Sequence, residues 1–172
     1  MSVEFVTDAI VLDILPVQEA DARVVLYTKD FGKITAKTTS IRKITSKSAG
    51  HLQPGSLAIV RIFDKNGPQL IDAISKKRRP LSSKLVSFFS LLNSLLGEND
   101  QDLTLWTMLM DIVQDKAEPD NLIALKYLGF DPKFARCNHC GNLPIAVFST
   151  TDTQFYCTAC ARNTTQFFYV YA

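Results

Sequence analysis

The 172-residue chain has room for one or two small domains, and 47% hydrophobic against 21% charged residues is the balance of an ordinary globular protein. No uncharged apolar run approaches the roughly 18–20 residues that span a bilayer, and the opening Met1–Asp8 carries acids where an export signal carries basic residues. The expectation is therefore a cytoplasmic protein with no membrane attachment.

The net charge of +2 hides an asymmetry: residues 1–80 hold 13 Lys and Arg against 8 Asp and Glu, whereas residues 81–172 hold 6 against 9. A basic front half points to a polyanionic partner. That half reads as β structure. Ala9–Leu15 is a short apolar strand stopped by Pro16, and Ala22–Thr28 is a second, followed by the turn Lys29-Asp30-Phe31-Gly32. In the third, Lys33–Thr39, alternation puts Lys33, Thr35, Lys37 and Thr39 on one face and Ile34, Ala36 and Thr38 on the other. A polar, basic loop runs from Ser40 to Gly55. Leu57–Phe63 and Gln69–Ile74 then form a hairpin across Asp64–Pro68. Five short strands with one long loop after the third fit a partly open barrel of the OB type.

The run Lys76-Lys77-Arg78-Arg79-Pro80 reads as the boundary between an OB domain at 1–78 and a second domain at 79–172. Beyond it the apolar period changes from 2 to about 3.6. Leu81–Leu96 presents Leu85, Phe88, Phe89, Leu92, Leu95 and Leu96 on one face. Asp102 is placed to cap a second helix reaching about Lys116, which buries Leu105, Trp106, Leu109 and Ile112 or Val113. Pro119 falls near the first turn of a third, Asp120–Leu128, closed by Gly129.

The only cysteines in the chain, Cys137, Cys140, Cys157 and Cys160, form two Cys-x-x-Cys pairs sixteen residues apart. This spacing suits two knuckles that each aim two sulfurs at one point, the four-thiolate shell of a structural Zn2+ site with no open position for substrate. Disulfides belong with secretion, and a redox dithiol leaves the second pair unexplained. His139 lies in the first knuckle and reads as a loop residue outside the shell. Pro144–Ser149 and Thr153–Tyr156 form a hairpin between the knuckles, which makes a zinc ribbon of about 135–172, and the terminal aromatics from Phe167 onward close its sheet. The fold expected is thus α+β: a five-stranded OB-type β-barrel, then a small helical domain carrying a four-cysteine zinc ribbon.

Catalytic constellations are thin. The two histidines, His51 and His139, have no nucleophile motif beside them, and phosphate-binding glycine loops are absent. A non-enzymatic protein is expected. The densest candidate is Lys29–Lys47, in which Lys29, Lys33, Lys37, Arg42, Lys43 and Lys47 face a single acid, Asp30, with Arg23 joining from the preceding strand. OB barrels hold single strands on such a basic groove. The stacking candidates are few (Tyr27, Phe31 and Phe63), so phosphate contacts dominate and sequence preference is weak.

Two stretches together resemble the bacterial recombination-mediator family RecO. One comprises Thr7–Leu12, Glu19-Ala20-Asp21, the run Leu26–Lys37, Ile41-Arg42-Lys43, Ser46-Lys47 and Leu52-Gln53-Pro54-Gly55. The other is Leu125-Lys126-Tyr127-Leu128-Gly129-Phe130-Asp131-Pro132 followed by Cys137-Asn138-His139-Cys140-Gly141. The resemblance implies binding of single- and double-stranded DNA, strand annealing, and work with RecR and single-stranded-DNA-binding protein to load the recombinase RecA in gap repair. By position, Lys33, Lys37, Arg42, Lys43 and Lys47 match the family's basic surface and the four cysteines its zinc ligands. Thr38-Thr39-Ser40 stands where many relatives have a glycine. Relatives continue into further helices after the last cysteine pair, so a compact member with a shortened C-terminus is expected. The alternatives are a zinc-ribbon adaptor that binds protein and not DNA, and an RNA-binding OB protein.

Overall fold

The computed structural model describes residues 2–17, 21–39, 50–163 and 166–170. It is a mixed α+β chain with a five-stranded sheet, three α-helices and a second, three-stranded sheet. The strands are β1 (Val3–Pro16), β2 (Ala22–Thr28), β3 (Gly32–Thr38), β4 (Ser56–Asp64) and β5 (Pro68–Arg78), closed in the order β1-β2-β3-β5-β4. Closure depends on the length of β1. Its first half pairs with β4, from Val3 opposite Asp64 to Ile10 opposite Leu57, and its second half with β2, from Ala9 opposite Thr28 to Pro16 opposite Ala22. The register shifts between Val11 and Asp13, and such a bulge bends a strand so that it serves two neighbours. The sequence pattern showed only the apolar 9–15 part. Val3–Asp8 was missed because the polar residues Glu4, Thr7 and Asp8 interrupt its apolar ones, so that it forms no apolar run.

Inward residues from every strand, among them Val11, Val24, Leu26, Ile34, Ala36, Val60, Ile62 and Leu70, form one buried cluster. The alternation expected for β3 holds, with Ile34 and Ala36 in the core.

The helices are α1 (Ser83–Leu95), α2 (Leu103–Val113) and α3 (Asn121–Tyr127). Asp102 caps α2 as expected, its carboxylate accepting from the N–H groups of Thr104 and Leu105 at 2.8 and 3.0 Å. Leu105, Trp106, Leu109 and both Ile112 and Val113 are buried. Asp120 caps α3 in the same way, so Pro119 stands before the cap and not inside the first turn. Three-residue strands β6 (Val147–Ser149), β7 (Gln154–Tyr156) and β8 (Phe167–Tyr169) form the second sheet in the order β7-β6-β8, with the late aromatics as its edge as expected.

Compactness divides the chain differently from the boundary expected after residue 78: one unit holds 1–85 with 96–118, the other 86–95 with 119–172. The basic run is the reason. β5 continues through it to Arg78, and Arg79 is buried. The Arg79 guanidinium donates to the carbonyls of Ile112 and Ala117, each at 2.7 Å, and to Glu118 at 2.8 Å. These contacts tie the last turn of α2 to the strands, so the run that read as a boundary lies inside one compact unit.

Candidate nucleic-acid face and metal centre

Arg23 and Lys37 lie directly opposite each other on β2 and β3, both exposed. The row continues through Leu15 on β1 and Gln69 on β5, which places it on the outer surface of the closed sheet. Like charges side by side on a sheet repel, and neither cation has an ion-pair partner among the described residues. Lys29 is exposed in the β2–β3 turn. Arg42, Lys43 and Lys47 lie outside the described residues.

Lys33 departs from expectation. Its alternation is outward, but the residue is only 8% exposed, because the α1–α2 connector covers it. Its ammonium donates to the Leu96 carbonyl at 3.1 Å and lies 3.9 Å from the Glu98 carboxylate. Gly32 shows how close that connector comes: at φ +69°, a Cβ there would stand 2.0 Å from the Asp100 carbonyl oxygen.

The aromatic candidates are also engaged. Tyr27 is 1% exposed, its hydroxyl donating to the Asp102 carbonyl and accepting from the Asp102 N–H. Phe31 is exposed but packs on Phe5 with ring centroids 4.3 Å apart, and Phe63 is half-buried. His51 is held by the hydroxyl and backbone N–H of Ser75. Two parts of this surface were not foreseen, Thr35 with Glu98 and the buried Arg79. Only the unusual strength of the Lys76–Arg79 charge run hinted at the second.

The cysteines form the other site. Gly141 turns the first knuckle at φ +72°, donating to the Cys137 carbonyl at 2.8 Å, and Asn138 N–H donates to the Phe155 carbonyl on β7 at 2.9 Å. The second knuckle closes when the N–H groups of Cys160 and Ala161 donate to the Cys157 carbonyl, at 3.1 and 2.9 Å. Phe148, fully buried, stacks on Phe130 and Phe155 and sets β6 and β7 between the knuckles.

All four sulfurs lie within 4.8 Å of one another. A tetrahedral shell with Zn–S bonds of about 2.3 Å separates sulfurs by about 3.8 Å, and Cys140 and Cys157 stand 3.7 Å apart. Burial opposes ionisation of Cys137, but the backbone N–H groups of Cys157, Cys140 and His139 and the Cys140 thiol overcome it and bring the thiol down to about 6. Cys160 is pushed up to about 12, first by its hydrogen bond to Cys157 and then by burial. The Cys137 thiol ionises readily while those of Cys140 and Cys160 resist, which is how crowded thiols behave until a cation neutralises them. The donor set and its geometry fit a soft dication held by four thiolates. His139 Nδ1 lies 3.7 Å from Cys160 Sγ.

A closed five-stranded sheet with an outward cation pair, on a chain that also carries four clustered cysteines able to hold a metal ion, defines a mixed α+β protein. Residues 1–77 match the family described as "Recombination protein O N terminal". Among curated proteins, the chain is 26% identical over 155 residues to "DNA repair protein RecO" of Myxococcus xanthus, covering 80% of this chain and 64% of that protein. It is 26% identical over 165 residues to the protein of that name from Chlorobium limicola, covering 84% and 63%. For Thermodesulfovibrio yellowstonii the figures are 27% over 152 residues, 78% and 61%. Over residues 1–77 the chain thus matches the RecO N-terminal family, and it spans slightly less than two thirds of the length of these RecO relatives. Among the described residues, no helix is long and apolar enough to cross a membrane.

Proposed function

We propose that this chain is a cytoplasmic RecO-type mediator of DNA repair and recombination, acting without enzymatic turnover. In this reading the closed sheet is an OB-type domain that binds single- and double-stranded DNA, promotes annealing of complementary strands, and supports recombinase loading in gap repair. The observation that carries it is the outward pair Arg23 and Lys37 on a sheet matched by the RecO N-terminal family. Arg23, Lys29 and Lys37, with Arg42, Lys43 and Lys47 of the loop, neutralise phosphates and release counterions, and base pairing supplies the specificity. The cysteine-bearing unit is a ribbon that Cys137, Cys140, Cys157 and Cys160 close around a structural Zn2+. Coordination there would fix the two knuckles against β6 and β7. RecR and single-stranded-DNA-binding protein are the partners proposed from the relatives.

Binding to an oligothymidylate across a salt series tests this reading. Neutralising about 4 to 6 phosphates gives a slope of log K on log salt of about −3 to −4. A flat titration at low salt would remove DNA and favour a protein-binding adaptor, an alternative that the internal use of Lys33 supports. Equal competition by matched RNA would favour the RNA-binding alternative. Annealing of DNA coated with single-stranded-DNA-binding protein, with and without RecR, then tests the mediator role.

A further inference from the structure

Lys33, Thr35 and Lys37 alternate with the core residues Ile34 and Ala36, so they point outward at intervals of about 6.6 Å along β3. Of these, Lys37 reaches β5, through its bridge to Gln69. Farther back along the strand, the edge is taken by the α1–α2 connector: Glu98 bridges Lys33 in parallel sense, and Asn99 N–H donates to the Lys33 carbonyl at 2.8 Å.

The Glu98 carboxylate gathers an unusual set of groups. Thr35 donates its backbone N–H to one oxygen at 3.0 Å and its hydroxyl to the other at 2.7 Å, and the Lys33 ammonium lies 3.9 Å from the latter. A main-chain amide, a hydroxyl and an ammonium converging on two anionic oxygens is the donor set that recognises a phosphate. The Glu98 side chain is itself 47% exposed and sits on a connector, so solvent reaches the contact. The next outward position on the strand is Lys37, opposite Arg23.

We propose that Thr35 and Lys33 form a phosphate subsite that extends the Arg23–Lys37 face, and that Glu98 occupies it in the free protein until a DNA backbone phosphate displaces it. This rests on the DNA-binding reading above. A phosphodiester carries the same single negative charge as the carboxylate it replaces, so Lys33 keeps a counter-charge throughout the exchange. The contact lowers affinity in the free protein by the free energy needed to release Glu98, and it disfavours ligands that lack an anion to take its place.

The test compares the wild type with Glu98→Gln, which keeps the shape of the side chain and removes its charge. The variant should bind oligothymidylate about fivefold tighter, the scale of one exposed ion pair released, with a salt slope steeper by about 0.7, because in the wild type the freed carboxylate takes back the cation that the phosphate releases. Adding Thr35→Val to Glu98→Gln should remove the gain, because the hydroxyl donor is lost. Unchanged or weaker binding by Glu98→Gln with an unchanged slope would overturn the proposal, as would retention of the gain in the double variant. Titration of 15N-labelled Glu98→Gln with inorganic pyrophosphate separates the two readings. A shift of the Thr35 amide with no DNA binding by any variant keeps the anion site and removes its DNA role, whereas an unmoved Thr35 amide removes the site even if the wild type binds DNA.

Discussion

Thirteen of the described residues, drawn from five strands and the segment before β4, make one buried cluster inside the closed sheet, whereas the sheet around the cysteines has three strands of three residues each. The first region is held by burial spread over many side chains, its valines, leucines and isoleucines each contributing about 1.5–3 kcal/mol when removed from water. The second concentrates its order in four sulfurs and one aromatic stack on Phe148. Distributed stability leaves the outer face of the first sheet free to carry charge. If the four cysteines hold a metal as proposed, the second region depends on each of them, since such units are commonly folded only with metal.

The largest expected effect breaks the comparison at its sharper end. Cys137→Ser should lower bound zinc from about one per chain towards none, because structural zinc sites are worth about 10–16 kcal/mol and need every thiolate. Limited proteolysis should then cut within 119–172 while leaving 1–85 protected. Equal protection of both regions in the metal-free variant would show that the four cysteines are not what holds the second sheet.

Next in size is the core of the first sheet. Leu26→Ala should cost about 2–5 kcal/mol in chemical denaturation, since Leu26 is fully buried on β2. Zinc content should stay unchanged. A loss of metal in that variant would mean that the two regions do not stand apart in stability. Asp102→Ala should cost about 1 kcal/mol by removing the α2 cap, measured by the same denaturation.

Much of the fold was legible in the sequence because burial writes a period. Apolar runs located β2 and β4, and alternation β3, to within a residue or so, and an aspartate ahead of an apolar repeat placed the start of α2. The cysteine cluster was legible for a different reason: metal-ligand spacing is local, so the pairs could be read without knowing the fold. Charge was read least well. Lys33 and Lys37 are indistinguishable by alternation, and Arg79 looked like part of a boundary. Their separate fates depend on a connector more than sixty residues beyond Lys33 and on the carbonyls at the end of α2. No local pattern encodes which cation meets a partner arriving from elsewhere in the chain.

That difference gives the smallest and most discriminating prediction. Lys37→Ala should flatten the salt slope for oligothymidylate by about 0.7, one phosphate contact on a single strand. Lys33→Ala in the otherwise wild-type chain should leave the slope where it is, because a phosphate that reaches Lys33 frees the Glu98 carboxylate, which takes back the cation released. It should instead lower the melting temperature modestly, since the Leu96 carbonyl loses its donor. The two lysines are four residues apart on one strand and share a face, so charge and propensity cancel in the comparison. Equal slopes for the two variants would mean that Glu98 does not offset the charge of Lys33 in solution, and the two lysines would have to be counted alike on the basic face.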